Sequence, residues 1–251
     1  MKWRFLGAAL FLPVLTAAQT LPSEVSVCWE EGLKPPYLSL DSQGQVAGIA
    51  VDMVNEIFKR RQLSPKHLIR PWKRCLAEVE TGEVDVVPNS SYRDERAQYA
   101  LYTEPLYTTH LVLFYHTKRF AQAPVIRQLD EMKPYSFGGI LGFNYDQYAG
   151  QLKLDTTAKN REVLFRMLIA GRYDFAIEQL EVIQMMKARK ELSLEQMAYI
   201  AEPVQPVKNF HILVTKKHPQ AEELRRLIND GIAAIKRDGT AKKIQIKHLG
   251  D

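Results

Sequence analysis

Short strands alternate with helices through the first third of the chain, and this alternation constrains the fold more than any other feature of the sequence. Residues 25–29 alternate in the manner of a strand, and apolar residues recur at helical spacing across residues 52–61. The pattern then predicts a strand at 67–69, a helix at 72–81 and a strand at 84–87. Strands that alternate with helices form βαβ units, so the sequence predicts an α/β fold with mainly parallel sheets flanked by helices.

Two segments, residues 81–90 and 170–179, follow the same plan although they lie far apart in the chain. In each, a helix is predicted to end at a glycine, an aspartate follows three residues later, and a short apolar strand runs into polar residues. Open α/β folds bind ligands at the carboxyl ends of parallel strands. The repetition indicates two lobes that direct strand ends at a shared space; the alternative is that Gly-x-x-Asp recurs by chance at helix–strand joints.

A glycine-bearing segment at residues 135–150 predicts a strand, a turn and then a helix. Gly138, Gly139 and Gly142 precede Asn144, and such a turn leaves backbone N–H groups free at the positive end of the helix dipole. That arrangement suits a carboxylate or a phosphate, although the glycine spacing is not that of a dinucleotide-binding fingerprint. An ordinary tight turn is the alternative.

The N-terminal residues have the features of a signal peptide. Lys2 and Arg4 precede an apolar run at residues 5–15, and small residues follow it. Residues 1–18 are therefore predicted to be a cleavable signal that directs the protein to the periplasm. The apolar run is shorter than a membrane-spanning helix requires, and an uncleaved anchor is the alternative.

The composition limits the chemistry that the chain can perform. The formal net charge is +5, with both signs interspersed, so there is no basic block of the kind that binds nucleic acid. The six histidines show no metal-ligand spacing, and we predict neither a metal nor a cofactor. In an exported chain, two cysteines predict one disulfide, here Cys28–Cys75; the alternative is two separate buried thiols.

Six segments of the chain resemble the bacterial solute-binding proteins of family 3, the type II periplasmic binding proteins that serve amino-acid ABC transporters. The order and spacing of the segments carry the resemblance, which spans most of the chain after the signal. The segments are PPYLSLDSQGQVAGIAVDMVNEI (35–57), PWKRCLAEVETGEVDVV (71–87), RDERAQYALYTEPLY (93–107), GGILGFNYDQY (138–148), AGRYDFAIEQ (170–179) and VTKKHPQAEELRRLINDGIAAIKRDGTAKKI (214–244).

The resemblance implies two lobes, each a mainly parallel sheet with helices, that close on a ligand in the cleft between them. Two strands would cross between the lobes, and the extended runs at 111–115 and 210–214 suit that position. The first lobe is expected at 19–109, the second at 110–208, and a return to the first lobe at 209–251.

Arg96 is the residue to which the resemblance gives the clearest role, a clamp on a ligand carboxylate. A planar guanidinium donates two parallel hydrogen bonds to a carboxylate, which makes arginine suited to the task. The alternative is a surface arginine paired with Asp94 or Glu95. Trp72 lies where family members place a side chain against the ligand, and its alternative role is packing in the core.

The resemblance also assigns neutral polar contacts and a possible cation partner to the cleft. Two departures bear on the ligand: Gln179 stands where amino-acid binders keep an aspartate for the ammonium group, and Lys34 stands where an aromatic side chain often covers the ligand. Glu178, one residue earlier, would restore the acid if the alignment shifts. The other expected ligand contacts are Ser90, Ser91, Tyr37, Asn144 and Glu31, with Glu30 as the alternative to Glu31.

The resemblance therefore implies a periplasmic protein that captures a small polar carboxylate, an amino acid or a relative, for an ABC-type importer. An enzyme on the same fold, similar to cyclohexadienyl dehydratase, and a ligand-sensing module for a membrane receptor are the alternatives. We expect a monomer whose partners are a small-molecule carboxylate and a membrane permease or sensor.

Overall fold

A mixed sheet of ten strands runs through the computed structural model, which describes residues 23–120, 122–148 and 150–249. The strands are β1 (Glu24–Glu30), β2 (Ser39–Leu40), β3 (Val46–Ala47), β4 (Ser64–Arg70), β5 (Val86–Ser90), β6 (Ala100–Tyr102), β7 (Tyr107–His116), β8 (Ser136–Ile140), β9 (Lys153–Ala158), β10 (Phe175–Gln179), β11 (Met197–Ala201) and β12 (Val207–Thr215). The helices are α1 (Ile49–Arg60), α2 (Trp72–Thr81), α3 (Asp94–Ala97), α4 (Leu129–Met132), α5 (Arg161–Ile169), α6 (Leu180–Ala188), α7 (Ala221–Arg237) and α8 (Thr240–Leu249). β2 and β3 form a separate ribbon.

The strand order β4-β1-β5-β12-β7-β10-β8-β9 divides the sheet into two parallel groups with two long strands between them. β4, β1 and β5 are mutually parallel, as are β9, β8 and β10. β12 and β7 pair antiparallel with each other, and each pairs antiparallel with the neighbouring group. The predicted two-lobed fold with two crossing strands is therefore confirmed. The lobe limits at 109/110 and 208/209 fall inside β7 and β12 and stay a prediction.

The two lobes share a structural motif that the repeated Gly-x-x-Asp pattern indicates. The carboxylate oxygen Oδ2 of Asp85 accepts hydrogen bonds from the backbone N–H and the hydroxyl of Ser26, at 2.8 and 2.7 Å. Oδ2 of Asp174 accepts the same pair of bonds from Ser136, both at 2.9 Å. Each aspartate thus links the beginning of its strand to the neighbouring parallel strand. The repeated Gly-x-x-Asp pattern therefore marks the same structural motif in both lobes.

Each lobe has its own apolar core. In the first lobe α1 packs against α7, and the buried side chains include Phe58 and Ile228. In the second lobe two clusters lie on opposite faces of the sheet, one around Phe114 and the other around Phe175, because neighbouring residues of a strand point to opposite faces. The two cores meet at α6, where Val182 belongs to the core of the first lobe and Met186 packs against the cores of both lobes.

The predicted disulfide between Cys28 and Cys75 is confirmed. It joins β1 to α2, and both cysteines are fully buried. Because Trp72 begins α2, the bond holds the helix that carries this tryptophan against the sheet.

The prediction of a helix after Gly142 is wrong. Among the residues of this segment that the structure describes, 135–148 and 150, the part after Gly142 forms a short 3₁₀ turn at Asp146–Tyr148 and no α-helix. The side-chain oxygen of Asn144 accepts a hydrogen bond from the backbone N–H of Asp146 at 2.8 Å, and such a local bond competes with helix formation. The proposed anion site at a helix N-terminus is therefore absent at this position.

Other parts of the prediction differ less. The strand expected at 84–87 is β5, which begins at Val86 and continues to Ser90, where Ser90 pairs with His211 of β12. The predicted signal peptide, residues 1–18, lies outside the described residues. Within the described part of the chain, none of the helices combines the length and the apolar composition that a bilayer crossing would demand.

Candidate functional site

A cleft opens between the two lobes, where the carboxyl ends of β1, β5 and β10 meet. Strand ends of this kind are the usual ligand sites of open α/β sheets. The first lobe contributes Glu30, Lys34, Trp72, Asn89, Ser91 and Arg96; the second contributes Gly142, Phe143, Asn144, Tyr145, Ile177, Glu178 and Gln179; the crossing strands contribute Leu111, Lys208 and Phe210.

Arg96 lies in the cleft as a buried cation with spare donors. Its side chain is 5% exposed, and Nη1 donates to the hydroxyl of Ser90 at 3.2 Å and to the carbonyl of Ser91 at 3.1 Å. Its guanidinium carbon lies 5.3 Å from the centre of the Trp72 ring. An arginine has five N–H groups, and among the described residues only Nη1 has a hydrogen-bond partner. The unused donors are free to hold a ligand.

Glu178 forms a buried ion pair with Arg161, the first residue of α5. Nε of Arg161 lies 2.9 Å from Oε2 of Glu178, and the two side chains are 7% and 2% exposed. The two atoms are close without the alignment of a hydrogen bond. The other oxygen of Glu178 accepts the N–H of Gln179 at 2.9 Å. The carboxylate that the sequence offers for a ligand ammonium is therefore engaged by the protein itself.

Lys34 is buried at the back of the cleft. Its ammonium lies 3.1 Å from the centre of the Phe210 ring and donates to the hydroxyl of Tyr107 at 3.3 Å. That hydroxyl donates in turn to the side-chain oxygen of Asn89 at 2.8 Å. Burial lowers the pKa of Lys34 well below its usual value and raises the pKa of nearby Glu30, while the attraction between the two groups opposes both shifts.

Lys208, on β12, is a cleft residue that sequence reasoning missed. Its ammonium donates to the backbone carbonyl of Asn144 at 2.5 Å. Burial lowers the pKa of Lys208 to about 8, and the charge of Glu178 acts in the opposite direction. A lone lysine in a polar run gives no periodic signal, and only the pairing of β12 with β7 brings it to the cleft.

Tyr145 fills part of the wall beside Asn144, and a glycine makes room for it. A Cβ atom added to Gly139 would lie 2.6 Å from the Tyr145 ring, closer than real contacts allow. The Tyr145 hydroxyl accepts the backbone N–H of Ile140 at 2.7 Å. The glycine-rich segment thus shapes the cleft through close packing and not through a helix dipole.

The structure brings most of the predicted site residues together, but not all of them. Tyr37 lies beneath the cleft, stacked on Tyr107 with ring centres 4.0 Å apart, and Ser90 is buried behind Arg96. Glu31 is exposed outside the cleft, whereas Glu30 lines it. The predicted residues that do line the cleft are Arg96, Trp72, Ser91, Asn144 and Glu178.

The lobes touch each other across the mouth of the cleft. Arg93 of the first lobe donates to both carboxylate oxygens of Asp146 in the second, at 3.0 and 3.2 Å. The side-chain amide of Asn144 donates to the carbonyl of Tyr92 at 2.9 Å. These bonds link the two lobes across the cleft.

The fold and the cleft define a class: two-lobed binding proteins that enclose a solute between hinged α/β lobes. The chain belongs to the bacterial extracellular solute-binding proteins, family 3, whose sequence model matches residues 25–251. This match confirms the family resemblance that the six sequence segments indicate.

Three known proteins place the chain within this class. The lysine/arginine/ornithine-binding periplasmic protein of Escherichia coli (strain K12) is 25% identical over 260 aligned residues, covering 99% of this chain and 97% of that protein. A histidine kinase sensor domain with similarity to periplasmic binding proteins matches with a TM-score of 0.71 and 19% identity over 90% of this chain and 96% of that one. The ancestral amino acid-binding protein AncCDT-1, a precursor of cyclohexadienyl dehydratase, matches with a TM-score of 0.69 and 18% identity over the same shares, 90% and 96%.

Proposed function

We propose that this protein captures a small carboxylate-bearing solute in the periplasm and delivers it to the membrane permease of an ABC importer. The observation that carries the proposal is Arg96, a buried guanidinium that lines the cleft with spare donors beside Trp72 and Ser91. A bidentate arginine in a desolvated site favours a planar carboxylate over neutral ligands. The predicted signal at residues 1–18 supports export, and the Escherichia coli relative is a periplasmic binding protein.

The proposed ligand contacts follow from the geometry of the cleft. Arg96 clamps the carboxylate, Trp72 packs against the body of the ligand, and Ser91 and Asn144 supply neutral polar contacts from opposite lobes. Since Ser90 and Tyr37 lie behind this layer, their role is to position Arg96 and the aromatic stack beneath the cleft. The hinge is formed by the crossing strands, with the lobe limits inside β7 and β12.

Binding is favoured over catalysis by the state of Glu178, the acid that the sequence offers for proton transfer. One of its oxygens lies beside Arg161 and the other accepts the N–H of Gln179, so the carboxylate is held by contacts within the protein. A ligand-sensing module for a membrane receptor would close on its ligand in the same way, and would differ only in the membrane protein that binds the closed form.

The experiment is a thermal-shift screen of the mature, ligand-stripped protein against amino acids, amines, mono- and dicarboxylates and short peptides. A ligand at one hundred times its dissociation constant adds about 2.7 kcal/mol to the stability, an easily measured shift. We expect the hits to carry a carboxylate and to be recovered chemically unchanged. Hits confined to amines or neutral compounds would contradict the proposal, and a compound consumed during incubation would establish an enzyme.

A further inference from the structure

The charges of the cleft divide into a balanced group and an unbalanced pair. Glu30, Lys34, Arg161 and Glu178 interact electrostatically with one another deep in the cleft. Two are acids and two are bases, so the sum of their charges is zero. This sum stays zero if a proton passes from Lys34 to Glu30, the direction in which burial drives both groups.

Arg96 and Lys208 form the unbalanced pair. Both are buried and both line the cleft. Within residues 23–120, 122–148 and 150–249, no ion pair with a carboxylate includes either of them, although such pairs are numerous elsewhere in the chain. Their protein partners are a hydroxyl and backbone carbonyls, which are neutral. Because the other four groups sum to zero, Arg96 and Lys208 leave the cleft with two net positive charges, although Glu178 also attracts Lys208.

Buried polar atoms without partners in the described residues add further donors to the cleft. The side-chain nitrogen Nδ2 of Asn89 and Nη2 of Arg161 have no hydrogen-bond acceptor, and both residues border the same cluster. The side-chain oxygens Oε1 of Gln179 and Oε2 of Glu178 are acceptors without a donor. Buried groups of this kind are costly unless a partner satisfies them, so they indicate where a ligand makes its contacts.

The acids of the cleft already lie beside cations of the protein. Glu178 contacts Arg161, and Glu30 interacts electrostatically with Lys34. The residue that follows Glu178 at the end of β10 is the neutral Gln179. A cationic ligand would enter beside Arg96 and Lys208 and be repelled by both, since like charges at close range in a desolvated site are strongly unfavourable.

We infer that the ligand carries two acidic groups, one held by Arg96 and the other by Lys208, and that it needs no amino group. This inference rests on the proposed capture of a carboxylate solute and narrows its ligand class. The acceptor on Gln179 would suit a hydroxyl or N–H between the two acidic groups. The second acidic group is a carboxylate or another planar or tetrahedral acid; the chemistry that Lys208 recognises is its negative charge.

The test is calorimetric titration of the mature protein with matched ligands. The panel holds dicarboxylates from malonate to adipate, the half-amide of each as the monoacid match, and glutamate, glutamine and arginine. We expect at least one dicarboxylate to bind more tightly than its half-amide by about thirtyfold or more, the scale of removing one partner of a buried charge pair. Phosphonate and sulfonate analogues of the best hit identify the second acidic group.

The variant Lys208→Gln should lose that preference, so that diacid and half-amide bind alike, whereas Lys208→Arg should retain it. The exposed Lys153→Gln is the matched control and should leave both affinities unchanged. If arginine or glutamine binds more tightly than every diacid, the inference is overturned while the proposed carboxylate capture stands. If no carboxylate of any kind binds, both fail. Thermal unfolding of each variant without ligand separates loss of binding from loss of folding.

Discussion

The Nε atom of Arg161 lies 2.9 Å from Oε2 of Glu178, and this contact joins α5 to the carboxyl end of β10 inside the cleft. Both side chains are almost fully buried. Because a buried charge is costly without a counter-charge, each of the two groups stabilises the other. The pair explains how an acid can lie in the cleft and already have its counter-charge within the protein.

Breaking this pair should destabilise the protein. Arg161→Met leaves the Glu178 carboxylate buried without its cation, and the expected loss in the free energy of unfolding is about 3–5 kcal/mol. The double variant Arg161→Met, Glu178→Gln removes both charges and should recover most of that loss. Urea unfolding followed by circular dichroism measures all three proteins. A single variant as stable as the wild type would show that the pair contributes nothing to folding.

The affinity for an acidic ligand should depend on pH through Lys208. The pKa of Lys208 in the free protein is about 8, and an anionic ligand stabilises the protonated ammonium, so it raises that pKa in the complex. Affinity is therefore constant below pH 8 and falls above it, by about tenfold for each pH unit until the pKa of the complex is reached. The charged groups that act on Lys208 are Glu178, Asp146, Arg96 and Glu202.

Titration calorimetry at intervals of about one pH unit between pH 6 and pH 10 measures this pH dependence of the affinity. The variant Lys208→Gln should bind more weakly at pH 7 but show a flat profile across the range. A wild-type profile that is equally flat would contradict a role for the Lys208 charge in binding.

The contact between Arg93 and Asp146 should favour the closed arrangement only slightly. The two side chains are 31% and 59% exposed, and pairs of this kind contribute about 0–1 kcal/mol. Arg93→Ala should therefore weaken ligand binding by at most about fivefold, because the substitution removes a contact between the lobes and leaves the ligand contacts unchanged. The charge-swapped variant Arg93→Asp, Asp146→Arg should restore the affinity. A loss of a hundredfold or more would place Arg93 among the ligand contacts instead.

Regular elements could be predicted from the sequence because their periodicities are local. The helix expected at 72–81 is α2 as observed, and both crossing strands were found from extended apolar runs. The lobes and the closing hinge came from the resemblance. The helix expected after Gly142 is not formed because the side-chain oxygen of Asn144 accepts the backbone N–H of Asp146, a local bond that no periodic pattern reveals.

The cleft was predicted only in part. Arg96 and Trp72 follow from their place in the family pattern, but Arg161 and Lys208 come from segments that become neighbours of the cleft only after folding. Glu31 was expected where Glu30 lies, because a shift of one residue in a strand changes the face to which the side chain points. The helix-capping Asn160 just before Arg161 is the one local signal that could have located that arginine at a helix start.

The most direct test of this account is calorimetric titration of the best carboxylate ligand into the wild type, Arg96→Ala and the control Arg225→Ala, a half-buried residue of α7 that does not line the cleft. Because Arg96 is a desolvated partner of the ligand carboxylate, Arg96→Ala should lose about 2–5 kcal/mol of binding free energy, whereas Arg225→Ala should match the wild type. Thermal unfolding without ligand should show that Arg96→Ala is folded. An unchanged affinity in folded Arg96→Ala would remove this arginine from the site and contradict the central claim.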